Sequence, residues 1–172
     1  MAPLSTFRTG MPALQSEAEA WKQALREGVV TGSLAGVLST AVLVLAGMRQ
    51  NRSAAAPINA ASHWIWGDES LREDRPTWRH TLPGYLTQHA ASIFWAALYS
   101  RVWGHRREAK QWPQALAGAA TTCAVAGVVD YLVVPKRLTP GYEHRLSTGA
   151  MVAVYAALAA GFALGAVAMR DR

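Results

Sequence analysis

Two side chains set in otherwise apolar stretches could exchange a proton, His89 and Asp130. Imidazole titrates near neutral pH, and a carboxyl at membrane depth is costly unless it is partnered or used. Tyr85, His89 and Ser92 recur at spacings that put them on one helix face, which must then look into a bundle and away from lipid. If the two runs cross a membrane in opposite directions, a rise of about 1.5 Å per residue puts His89 roughly 12 Å and Asp130 roughly 7.5 Å from the same surface. A proton shared by the pair is therefore one reading. The other is a staple. Asp130 is followed by Lys136, Arg137, Glu143, His144 and Arg145 in a turn containing Pro and Gly, and pairing with one of the three cations would hold the flanking segments together. His89 then hydrogen-bonds a tyrosine or a carbonyl. Structural ion pairs perturb titration just as functional ones do, and the staple is the favoured expectation.

Other chemistry has less support. His63, His80, His89 and His144 would fall on one side of the membrane, but none has a paired-ligand spacing, and Cys123 is the single cysteine. No metal site and no cofactor are expected, with metal or haem binding kept as the weakest alternative. No nucleophile elbow or triad context accompanies the serines, so a non-enzymatic protein is expected.

The elements that must carry these residues are apolar helices. Hydrophobic residues make up 51% of the 172, in four separated runs, and the 17 Lys and Arg lie almost entirely outside them. The formal charge of +6 is then a set of helix-end anchors, and nucleic acid is not an expected partner. The expected fold is all-α, a polytopic four-helix membrane bundle with spans at about 28–48, 81–103, 112–135 and 146–169. A tail over residues 1–12 and an amphipathic interfacial helix, with Leu14, Ala18, Trp21 and Leu25 on one face and Ser16 and Glu19 as a capping box, make up residues 1–27. The first apolar run is long enough to span and is expected to be retained, not cleaved as a leader. Residues 28–172 form the single membrane domain, with a longer interfacial loop between the first two spans. In that loop Pro57 is expected to start a short helix sharing Ile58, Ala61 and Ile65 on one face. The charged run after it is expected to be a solvated turn with Asp68 and Glu69 facing Arg72.

Small residues recur at every fourth position in two spans: Gly28, Gly32 and Gly36 in the first, and Gly149, Ala153, Ala157, Gly161 and Gly165 in the last. Such stripes let helix backbones approach closely, within the bundle or across a dimer. Lys and Arg divide nine against eight between the two sides, and the dense loop of Arg101, Arg106, Arg107 and Lys110 favours cytoplasmic termini.

The motif GSLAGVLS in the first span, Pro57 and Asn59 in the long loop, His89 early in the second span, QWPQALAGA entering the third and LTPG at 138–141 together resemble the YagU-like family of small bacterial inner-membrane proteins. The resemblance runs from about Gly28 to the end of the chain. It implies a multi-pass inner-membrane protein of unassigned biochemistry linked to acid tolerance. The expected function is a structural, interaction or envelope-stress component packed by Gly and Ala stripes, with the lipid bilayer and a homo-oligomer or larger membrane assembly as partners. The alternative is proton or ion handling through His89 and Asp130.

Overall fold

The computed structural model describes residues 11–104 and 106–170, so nearly all of the expected tail lies outside it. Among the described residues there are helices and turns and no strand. The helices are α1 (Met11–Asn51), α2 (Ala56–Ala61), α3 (His63–Trp66), α4 (Thr81–Tyr99), α5 (Trp112–Val128) and α6 (Thr148–Ala168).

Alpha-helix α1 runs unbroken for 41 residues. No proline interrupts it after its second residue, and Ala, Leu, Gln and Glu dominate its first half, all good helix formers. Ser16 and Glu19 therefore sit inside the helix and do not cap it, and the composition change at Gly28 marks no break in the chain's path. Among the described residues three stretches are long and apolar enough to cross a membrane: Ser16–Asn51, Trp112–Val133 and Thr148–Ala168. Helix α4 has 19 residues and lies alongside α1, but Tyr85, Gln88, His89 and Ser92 dilute its apolar character.

Helix α1 is the centre of the bundle. It packs along both α4 and α6, while α5 packs chiefly on α6. The glycine stripes explain the arrangement. A Cβ added to Gly32 would lie 2.5 Å from Ile93 Cα of α4, and one added to Gly161 would lie 2.3 Å from Ala35 Cα of α1. Backbones this close leave no room for side chains, so small residues are what allow the contact. The stripe of α6 is divided: Gly161 and Gly165 are buried against α1, whereas Gly149 and Ala153 are exposed. The main apolar core joins Ala35, Tyr99, Ala119 and Phe162, with the Tyr99 and Phe162 rings stacked at 5.8 Å.

Two helices end differently from a plain α-helix. Helix α4 continues into a π-helical turn at Ser100–Gly104, and α5 into another at Val129–Val133. A π turn rotates the side chains that follow, and Asp130 lies on one.

A cap of short helices covers the end of the bundle where α1 finishes. Arg52, with φ of 56°, terminates α1. Ser53 Oγ then accepts from the Ala55 and Ala56 backbone N–H groups at 3.2 and 3.1 Å, satisfying donors at the start of α2. Every residue of α2 is buried. The single helix expected from Pro57 is broken at Ser62, and Ile65, expected to share a face with Ile58 and Ala61, is exposed while those two are buried. Asn59, fully buried, donates to the Glu73 and Arg75 carbonyls at 2.9 Å each and accepts from Thr81 Oγ1 at 2.7 Å. It thereby ties α2 to the charged loop and to the start of α4. In that loop Glu69 pairs with Arg79 at 2.6 Å and not with Arg72, because a 3-10 turn over Gly67–Arg72 replaces the expected α-helical one.

Candidate functional site

The residues expected to act together separate into two places. His89 is half-buried on the face of α4 that meets α1, its Nε2 3.2 Å from Ser33 Oγ and its Nδ1 3.4 Å from the Tyr85 hydroxyl. The hydrogen-bonding reading of His89 is the one realised. Gly36 makes room for it, since a Cβ there would come within 2.9 Å of His89 Nδ1. Ser92 shares the face as expected but donates to the Gln88 carbonyl of its own helix at 2.9 Å.

Asp130 looks elsewhere. Its Oδ2 accepts a hydrogen bond from the Tyr155 hydroxyl of α6 at 2.5 Å. Beside this pair a crevice of about 630 Å³ opens between α4, the end of α5 and α6. Its walls are mostly apolar, with Trp95, Val134 and Leu158 among them, and Gln88, Ser92, Asp130, Tyr142 and Tyr155 supply the polar groups. His89 does not line it. Similar depth placed His89 and Asp130 in one layer of the bundle, but azimuth about the helix axis decides contact, and the two point to different helices.

The expected staple between Asp130 and the basic residues is also rearranged. Arg145 turns to the cap instead, donating from Nε to Asn51 Oδ1 at 3.1 Å, from Nη1 to the Leu71 carbonyl at 2.8 Å, and from Nη2 to Asp74. Asn51 returns a bond to the Arg145 carbonyl at 2.8 Å. Ser147, next in line, caps α6 through Ala150 N and is gripped by Gln50 of α1. Arg145 is thus a staple, but between the end of α1, the charged loop and the entry to α6. Lys136 and Arg137 remain exposed, and Glu143 lies 3.7 Å from the exposed His144.

Tyr142, entirely buried beneath the cap, borders the crevice from the connection before α6. Burial pushes its phenol well above the ordinary range, with the Tyr131 phenol and the Asp130 carboxyl adding to the effect. It therefore stays protonated and able to donate.

The opposite end of the bundle holds an ion pair that spacing did not reveal. Lys110 Nζ donates to Glu27 Oε1 at 2.7 Å, with both side chains about nine-tenths buried. Arg101 pairs with Glu17 at 2.6 Å and lies over the Trp21 ring at 5.6 Å. Two cations of the loop expected to mark the cytoplasmic side are thus matched by acids of α1.

Sequence signals existed for part of this. Tyr155 is the only strongly polar side chain in the middle of α6, and a lone hydroxyl in a long apolar helix calls for a partner. For Glu27 and Lys110, 83 residues apart, no local pattern points from one to the other. Among the described residues no three His, Cys, Asp or Glu side chains are grouped so as to hold a metal ion. Compared with protein-family models, with curated proteins and with solved structures, the chain matches none.

Proposed function

We propose that this chain is a non-enzymatic multi-pass membrane protein whose work is binding, at the intramembrane crevice beside Asp130. In this reading α4 crosses with the three more apolar spans to give four, both termini lie in the cytoplasm, and the membrane is a bacterial inner membrane, as the YagU-like resemblance implies. The observation that carries the reading is the hydrogen-bonded Asp130 carboxyl opening onto a mostly apolar space of about 630 Å³. A carboxylate in such a setting gains most from a cation with a large apolar body, which supplies the missing charge without polar groups to desolvate. Gly149 and Ala153, exposed on α6, are available for contact with a second copy or a larger envelope assembly.

The test is equilibrium binding of a lipophilic cation, tetraphenylphosphonium, to the purified protein in detergent. Binding that drops about tenfold or more in Asp130→Asn supports the reading. Equal binding by the two proteins overturns it. A second reading, proton handling, is favoured by the Tyr155 to Asp130 hydrogen bond and the proximity of Tyr142, and it no longer involves His89. A pH-dependent signal in proteoliposomes that vanishes in Asp130→Asn and persists in His89→Gln is its signature.

A further inference from the structure

On the other side of the 129–140 connection from the Asp130 crevice lies a polar basin of about 940 Å³. Its wall includes His63, Arg72, Lys136, Arg137, Glu143 and His144. Three polar side-chain atoms of its lining residues are buried without a hydrogen-bond partner among the described residues: His63 Nε2, Glu143 Oε2 and the Tyr131 hydroxyl. His63 is only 5% exposed, and its Nδ1 lies 2.8 Å from the Ala60 carbonyl. A carbonyl can only accept, so Nδ1 carries a proton, and in the neutral form of the ring Nε2 presents a lone pair. Glu143 Oε2 is likewise an acceptor. Buried acceptors without donors are costly, and the missing group must bring N–H or O–H bonds.

The same basin carries an excess of the opposite function. Arg72, Lys136 and Arg137 are exposed cations at its rim, with Asp68 the other acid there. The complementary ligand has a donor-rich cation for the two inner acceptors and an anion for the three rim cations. A primary ammonium joined to a phosphate meets both demands.

Tyr131 connects this basin to a second space. It also borders an apolar groove of about 610 Å³ that runs between α5 and α6, past Ala124, Gly127, Leu132, Met151 and Val152. The groove lies along two of the helices apolar enough to cross a membrane, and the basin lies at their polar end. Glycine and alanine on the facing helices keep it open to a chain-like occupant.

We infer that the basin and groove together bind one membrane phospholipid bearing a primary amine, of the phosphatidylethanolamine class. The ammonium sits between His63 Nε2 and Glu143 Oε2, the phosphate faces Arg72, Lys136 and Arg137, and an acyl chain follows the α5–α6 groove. This site is separate from the Asp130 crevice and does not depend on it. Headgroup chemistry sets the selectivity: a choline headgroup carries the same charges but no N–H donor, and a glycerol headgroup carries the phosphate without the cation.

The experiment is native mass spectrometry of the full chain released from detergent, titrated with phosphatidylethanolamine, phosphatidylcholine and phosphatidylglycerol of identical acyl chains, and with soluble glycerophosphoethanolamine. The expected result is retention of phosphatidylethanolamine about tenfold above phosphatidylcholine and phosphatidylglycerol. Glu143→Gln is expected to erase the preference over phosphatidylcholine while leaving phosphatidylglycerol binding unchanged. Binding of the soluble headgroup at least as tight as that of the lipid would assign the basin to a free phosphoamine and overturn the groove. Equal retention of the amine and choline lipids by the wild-type chain, a comparison that needs no variant to fold, sinks the proposal. So does a preference for phosphatidylglycerol, whose hydroxyls can donate to the acceptors without an ammonium.

Discussion

The two ends of this bundle handle charge in opposite ways. At the end where α4 finishes and α5 begins, the buried cation Lys110 meets the buried anion Glu27 at 2.7 Å, and Arg101 meets Glu17 at 2.6 Å. At the end covered by α2 and α3, Arg145 and Asn59 make bonds as complete as those, yet His63 Nε2 and Glu143 Oε2, on residues that line the basin, are buried without a partner. The first end leaves one buried donor without a partner, Arg101 Nε, and the second leaves acceptors, so the two ends differ in the sign of what they leave open.

The largest break in that contrast comes from the closed end. Lys110→Met strands the Glu27 carboxylate at a buried position and is expected to cost about 3–5 kcal/mol, read as a lowered unfolding midpoint in detergent. Replacing both partners, Glu27→Leu with Lys110→Met, should recover most of the loss, and a double variant as unstable as the single one would deny that the pair is mutually compensated. Asn59→Ala, which leaves the Glu73 and Arg75 carbonyls without their donor, should cost about 1–3 kcal/mol and expose the charged loop to proteolysis. A loop that remains protected would remove Asn59 from its role as the cap's anchor.

The pH response sharpens the comparison further. Because burial raises the Tyr142 phenol above its unfolded value, its neutral form favours the folded state, and that contribution is complete below about pH 10. It is lost as pH climbs from there toward the folded-state value. Melting curves between neutral and strongly alkaline pH should fall less steeply in Tyr142→Phe than in the wild type, and identical slopes would contradict the burial. The smallest loss belongs to the open end: Glu143→Gln in delipidated protein should not lower stability, since the carboxylate oxygen it alters makes no bond and a neutral amide costs less to bury. A large destabilisation there would mean that Glu143 serves the fold.

Much of the architecture was legible from periodicity. Gly32 and Gly161 announce close helix contacts because only their absent side chains permit them, and the structure uses both inside the bundle. That Gly161 meets Ala35 of α1, and not a second copy, required knowing which helices are neighbours. The site was less legible, for a geometric reason. Helical spacing gives the face a residue shares with its own neighbours and gives its depth, but not which helix that face meets. So the shared face of Tyr85, His89 and Ser92 was readable, while the choice of Ser33 over Asp130 as the partner of His89 was not. The π turn at Val129–Val133 compounds this, because it breaks the α-helical spacing from which the face of Asp130 would be read. Arg145 was one of the three cations expected to staple Asp130, and the targets it has instead, 71, 74 and 94 residues away, carry no local signature.

Those separations also fix an order of events. Asn51 and Asp74 leave the ribosome long before Arg145, and the Gln50 grip on Ser147 waits just as long. The cap over the bundle cannot lock until the connection leading into α6 has been made, so its closure waits for most of the chain. A chain truncated after His144 keeps every residue of the basin's wall, yet it lacks Arg145, which ties Leu71 of that wall to the end of α1.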